Sequence, residues 1–414
     1  MSRLCLCLFF CAALLALPVY AATPYGVGSC LPQSFPTITA AINAVPAGSV
    51  ILVCPGSYPE QVVITKRLTL EGVNTGTNSA SIITAPPGGT VQNSTSLATG
   101  NPIAAQVLVD GAAPVIIKNL IVDGSNNGIT GCAPDLIGIY YRNSSGTVTN
   151  TAVVNQALAA ALNGCQSGEG IFVQSGAAGT STVTLSGNYV HNYQENGITG
   201  NEVGTKVNII SNTVFGQGST TGAAENSIQI GFGATGSITR NTVGGDIWAP
   251  DQIGDTGDAA AGILVYASSG ISITGNNVSS TQFGITVDSD PVFGAADSNI
   301  IKTNKVATTA LFDGIDLCSN NNTVTGNTVV GSDEAAIHID DTCTGVSTGN
   351  TVTGNTINSA CAGLLIGPGA SGNTFTPNVL SNVTTLFLTG TNTCVPPVFA
   401  ARRRPRGSVR PFRP

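Results

Sequence analysis

A Gly-Ile pair, or a close variant of it, returns along most of this chain and constrains its fold more than any other feature. The copies begin at Gly138, Gly170, Gly197, Ser227, Gly262, Gly284, Gly314, Ala336 and Gly363, at separations of 22 to 35 residues. Between them runs a second phrase that ends in asparagine: Ser186-Gly187-Asn188, Ser211-Asn212, Arg240-Asn241, Thr274-Gly275-Asn276, Thr303-Asn304, Thr325-Gly326-Asn327 and Thr353-Gly354-Asn355. A unit repeated at such a period marks a solenoid, whose coils bury their apolar sides only against one another. Each repeat holds short alternating apolar runs, such as Val50–Val53, parted by Gly, Asn or Ser turns, and no helical period follows residue 50. Strands and turns alone in coils of this length predict an all-β chain, a right-handed parallel β-helix. It would be a single-stranded solenoid of about ten coils. The recurring asparagines are expected to form an internal ladder, amide on amide.

Composition agrees with a folded chain. Charged residues make up only 9%, which would suit disorder if apolar residues were scarce, but 42% are hydrophobic. The first 22 residues read as a secretory signal: Arg3, an apolar run from Leu4 to Val19, then Ala21 and Ala22. Export follows, to the extracellular medium, the cell surface or the periplasm. No later segment is apolar for long enough to span a bilayer, so an integral membrane protein is not expected. Residues 23–48 read as an N-terminal cap, 49–398 as the β-helix and 399–414 as a disordered Arg/Pro-rich tail.

Cysteine use fits an oxidising compartment. Eight remain after the signal, Cys30, Cys54, Cys132, Cys165, Cys318, Cys343, Cys361 and Cys394, and an even number favours disulfides. Cys132 and Cys165 precede consecutive Gly-Ile pairs by six and five residues, so stacking would bring them together. Proximity then pairs Cys30 with Cys54, Cys318 with Cys343, and Cys361 with Cys394. Six of the 15 basic residues lie in the tail, which leaves a strongly acidic body that repels nucleic acid and anionic membranes. A monomer is expected.

The front of the chain holds the one helical pattern, Phe35 to Val45. Ile38, Ile42 and Val45 share a face, Thr37 is placed to cap it, and Pro46 and Gly48 end it. Such a helix would cover an exposed coil end. The run Phe35-Pro36-Thr37-Ile38, Ala40-Ala41-Ile42, Pro46-Ala47-Gly48, Ile51-Leu52-Val53, Pro55-Gly56-Ser57-Tyr58, Glu60 and Leu68-Thr69-Leu70-Glu71-Gly72 resembles the opening of pectin-lyase-like β-helix proteins. That superfamily includes pectate lyases, polygalacturonases, uronan epimerases and NosD-type proteins. The resemblance implies the fold and leaves the chemistry open.

Strand alternation places the side chains. In each Gly-Ile strand the Ile and the residue two beyond it point inward, and the second and fourth residues after Gly would face solvent. On that count Asp316 and His338, 22 residues apart at one phase, are neighbours on successive coils, with Asp313, Asp333 and Glu334 close by. Stacked carboxylates cannot all ionise freely, so one can serve as general acid and another can activate water. Asp313-Gly314, followed by Asp333-Glu334, is similar to the polygalacturonase order Asn-Thr-Asp-Gly then Asp-Asp, which implies catalytic positions for those residues. Asp288, Asp340 and Tyr266 on the same face are candidate substrate-binding groups. So is Trp248, the only Trp, at the edge of a long loop whose Asp251, Asp255 and Asp258 are candidate Ca²⁺ ligands. Copper is unattractive, because the mature chain has no Met and two separated His. No cofactor other than Ca²⁺ is implied. The expected function is a secreted carbohydrate-active β-helix that cleaves or binds polysaccharide or cell-surface glycan through an acidic face on the C-terminal coils. The alternative is a non-catalytic β-helix that binds glycan or protein.

Overall fold

Parallel pairing between successive coils runs from Tyr25 to Thr389 and sets every other feature of the structure. The computed structural model describes residues 24–32, 34–73, 80–248, 260–307, 312–389 and 393–394. The signal segment, the Arg/Pro-rich tail and Asp251, Asp255 and Asp258 lie outside them. Each coil gives one strand to each of three columns. In one coil these are Thr205–Ile210, Thr213–Thr220 and Asn226–Gly231; in the next, Thr235–Thr239, Thr242–Trp248 and Ala261–Tyr266. Near the C-terminus the second and third columns merge into the longer strands Thr328–Ile339, Thr356–Ile366 and Val379–Thr389. The result is a parallel β-helix.

Inside the coils the apolar rows meet. Ile209, Ile238 and Ile273 of the first column, Val214, Val243 and Val278 of the second, and Ile228, Ile263 and Ile285 of the third are all fully buried. Burial of each such side chain is worth about 1.5–3 kcal/mol. The recurring glycine is explained at the corner before the third column. A Cβ at Gly138 would lie 2.5 Å from Val153 Cγ1, and one at Gly262 would lie 2.6 Å from Val278 Cγ1. The second-column valine already fills that space, so any larger residue must displace it.

The Asn phrase also has a physical cause. Nδ2 of Asn188 donates to Oδ1 of Asn212 (2.9 Å), and the relay continues through Asn241, Asn276, Asn304, Asn327, Asn355 and Asn378 at 2.9–3.0 Å. From Asn212 onward each Oδ1 also accepts the backbone N–H of the asparagine one coil earlier, as Asn276 does from Asn241 (2.8 Å), while Asn188 accepts from Thr151. The residue before the asparagine is left-handed: φ is 68° at Gly275, 66° at Gly326 and 68° at Gly354. Glycine adopts this freely, whereas Ser211, Arg240 and Thr303 hold it at 54°, 55° and 52° under strain. A second ladder, not anticipated from the sequence, runs through the backbone N–H groups and side chains of Asn299, Asn322, Asn350 and Asn373.

The helix is Ile38–Ala44, with Thr37 Oγ1 accepting from Ala40 N–H (3.0 Å) and the Glu60 carboxylate accepting from the N–H groups of Ile38 and Thr39. It is shorter than the sequence pattern, because Phe35 belongs to the two-residue strand Ser34–Phe35, paired with Tyr25–Val27. Disulfides join Cys30–Cys54, Cys132–Cys165, Cys318–Cys343 and Cys361–Cys394. Among the described residues no helix is long and apolar enough to cross a membrane.

One expectation is corrected. The second and fourth residues after the glycine do not face solvent: Glu169–Gln174, Asn196–Asn201, Ala261–Tyr266 and Phe283–Asp288 are buried along their whole length. A sheet face exposed by alternation alone is here overlaid by connections that return across it. The 289–298 connection brings Phe293 onto Phe232 (ring centroids 5.2 Å apart) and Asp290 onto the Tyr266 hydroxyl. Cys343 draws the 340–346 connection onto Cys318.

Replacing Asn276 by Ala strands the ladder groups on both neighbouring coils. It is expected to destabilise by about 2–3 kcal/mol, read as a lowered denaturant midpoint. Thr303→Gly removes left-handed strain and is expected to stabilise by about 0.5–1 kcal/mol in the same measurement.

Candidate functional site

Three polar side chains meet on the outer side of the third column near the C-terminus. Asp316 and His338 are direct register partners on the strands Ile315–Cys318 and Thr328–Ile339. Asp313 stands just before Gly314, where the chain turns into the third column, and its side chain shares the side taken by His338. Asp313 Oδ2 lies 3.1 Å from His338 Nδ1, and Asp316 Oδ1 lies 3.4 Å from the same nitrogen. Asp313 Oδ1 accepts the Ala335 N–H at 3.0 Å, which aims Oδ2 at the ring. One ligand atom from each of the three residues falls within 4.8 Å of the others. Asp313, Asp316 and His338 are 0, 5 and 4% exposed.

Such an arrangement suits proton handling. A ring nitrogen carries at most one proton, and a carboxylate accepting it fixes the tautomer and leaves Nε2 as the exchanging atom. Asp316 adds a second carboxyl at the same nitrogen.

The remaining candidates are dispersed. Glu334 is buried beside Ala335, while Asp333 is exposed. Asp340 accepts from the Thr342 N–H and hydroxyl, both at 3.0 Å, and so closes a turn. Asp288 is buried near Cys318 and Cys343, whose sulfurs are spent in a disulfide. Tyr266 donates to Asp290. Burial acts to raise the Asp290 carboxyl, but the Tyr266 hydroxyl and the Phe293 and Val292 N–H groups together hold it below the usual range. Trp248 ends a second-column strand, with its backbone tied to the Gln282 amide, and does not stand on the third column. The expected acidic face is therefore largely a buried one.

Sequence reasoning missed a second set of acids. Asp135, Glu169, Glu195, Glu225 and Asp246 are buried in the central coils. Burial pushes Asp135 up to about 7 and Asp246 up to about 8, and holds Glu169 and Glu225 well above the carboxylate range. A signal was present: glutamate recurs just before the third column in Glu169-Gly170-Ile171, Glu195-Asn196-Gly197-Ile198 and Glu225-Asn226-Ser227-Ile228.

Residues 255–395, about a third of the chain, match a family model described as periplasmic copper-binding protein (NosD). The described donors do not fit copper, which favours imidazole and sulfur: the one cluster holding a histidine offers a single imidazole and two carboxylates. None of the curated proteins matches this sequence. Among solved structures, the Dettilon tailspike protein is similar with a TM-score of 0.59 and 18% identity over 82% of this chain, which spans 62% of the tailspike's length. The catalytic domain of a GH87 α-1,3-glucanase in complex with nigerose gives 0.55 and 16%, covering 94% of this chain and 68% of that one. A DFA-IIIase from Arthrobacter chlorophenolicus A6 in complex with GF2 gives 0.50 and 16%, covering 88% and 99%. At these identities the likeness is one of fold. Three stacked columns of parallel strands make this chain a parallel β-helix, and its likeness to these structures is one of fold alone.

Proposed function

We propose that this is an exported β-helix protein that acts on polysaccharide through Asp313, Asp316 and His338. The observation that carries the reading is the convergence of two carboxylates on one ring nitrogen, 3.1 and 3.4 Å away, on the column where coil stacking lines up side chains. In this reading Asp313 is a positioning residue that holds the ring. His338 and Asp316 exchange protons with the sugar, as cleavage of a glycosidic bond or abstraction of an α-proton requires. The four disulfides suit an oxidising compartment outside the cytoplasm or in a periplasm. A formal net charge of −7 favours neutral glycans over polyuronides, unless Ca²⁺ bridges the like charges. The α-1,3-glucanase domain in complex with nigerose and the DFA-IIIase in complex with GF2 have a similar fold, which supports this reading.

A second reading has its own support. The three groups are nearly inaccessible, which favours a β-helix that holds glycan without turning it over.

Purified protein incubated with neutral glycans and polyuronides, with and without Ca²⁺, separates the two. Release of reducing ends that falls about 10²–10⁴-fold in Asp316→Asn and His338→Ala supports cleavage at this site. Retention of a glycan without product supports the binder. Product that absorbs in the ultraviolet reassigns the reaction to elimination, and equal turnover by the variants moves the chemistry elsewhere.

A further inference from the structure

The corner between the second and third columns near Gly216 holds two acids face to face. Glu225 and Asp246 are 1 and 0% exposed. Both reach the same side of Gly216, where a Cβ would collide with Glu225 Oε2 and lie 2.9 Å from Asp246 Oδ1. Asp246 is held by two hydroxyls: Tyr193 Oη donates to Oδ1 at 2.6 Å, and Ser227 Oγ donates to Oδ2 at 2.5 Å. Glu225 Oε2 accepts the Gln217 N–H at 2.9 Å, whereas Oε1 is buried without a hydrogen-bond partner. Among the described residues no lysine or arginine pairs with either carboxyl. The titratable groups facing the pair are Tyr193, itself held neutral by burial, and Glu195, a further acid.

Two ionised carboxylates in a dry interior repel each other and forfeit their hydration, a cost that real proteins avoid by retaining a proton. We infer that the Glu225–Asp246 pair binds one shared proton, and that this proton locks the Gly216 corner to the neighbouring coil. The corner matters to the wall as a whole. The strands Thr213–Thr220 and Thr242–Trp248 pair across it with a bulge between Phe215 and Gly218, and Ser227 is the second residue of the third-column strand beyond.

The sign follows from the two states. The pair titrates higher when the corner is closed than when it is open, so the lock is complete in acid. It weakens as pH climbs above the ordinary carboxylate range and is lost as pH passes the raised values of the two acids, about 8 for Asp246 and well above the carboxylate range for Glu225. Loss of one proton on opening raises the opening equilibrium about tenfold for each pH unit in that window. The protein would therefore keep this corner closed in an acidic medium and loosen it in an alkaline one, whatever the reaction at Asp316 and His338.

Native-state amide exchange on the intact protein between pH 5 and 9, corrected for the intrinsic pH dependence of exchange, tests this. In the wild type, protection of peptides spanning 213–220 and 242–248 should fall about tenfold per unit up to about pH 8 and then level off. Peptides spanning 323–325 and 351–353 should stay flat. The double variant Glu225→Gln with Asp246→Asn keeps both shapes and removes both titrating groups, and is expected to remove the slope. Glu225→Gln alone, with a reduced slope expected, is the second variant should the first not fold. A flat wild-type profile overturns the inference without recourse to any variant. So does an unchanged slope in the double variant, or a slope shared by all peptides.

Discussion

Register between coils is the constraint on which this molecule depends. Parallel hydrogen bonding turns residues some two dozen positions apart into neighbours, and every row described above exists only because consecutive coils stop at the same phase. The asparagine ladder enforces that phase from inside. Each amide accepts from the backbone below and donates to the chain around it, so a coil that slipped by one residue would bury unmet amide groups on both sides. The left-handed residue before each asparagine from Asn188 to Asn355 turns the amide inward, and the corner glycine lets the second-column valine pass. Both sequence phrases are thus corner devices, one polar and one steric.

Much of this was legible before any coordinates. Repeats at a fixed phase specify neighbours directly, which is why Asp316 and His338 are paired as counted from their Gly-Ile copies. Exposure was not legible. Alternation tells on which side of a strand a residue lies, not whether a distant connection returns to cover that side. Thus Asp288, Asp316, His338 and Asp340 lie on the outer side and are nonetheless buried. The glutamates of the second set were hidden by a different habit: a glutamate one or two residues before a corner reads as a surface residue, while here the corner folds it inward. The second amide ladder escaped because Asn299, Asn322, Asn350 and Asn373 lie in Asn- and Gly-rich turns, where asparagine is ordinary.

Charge in this protein is more a matter of the interior than of the surface. A chain with only 9% charged residues places many of its acids where water does not reach. Several are held by local arrangements of their own. Hydroxyls hold Asp246, a backbone N–H and an imidazole hold Asp313, and a closed turn holds Asp340. The N-terminal and C-terminal halves of the wall thereby acquire different characters. Buried acids line the central coils, and an acid–imidazole group stands on the later ones.

Cross-linking by introduced cysteines tests the register itself. Thr325 and Thr353 are paired Cα partners on consecutive coils, and Thr323 and Thr353 are offset by two residues. Two residues along a strand add about 6.6 Å, which takes the offset pair beyond the roughly 4.4–6.8 Å Cα separation that a disulfide spans. Thr325→Cys with Thr353→Cys should therefore oxidise readily to an intramolecular bond, and Thr323→Cys with Thr353→Cys should not. Equal or preferred bonding of the offset pair would contradict the stacking from which the site, the ladders and the proton lock all follow.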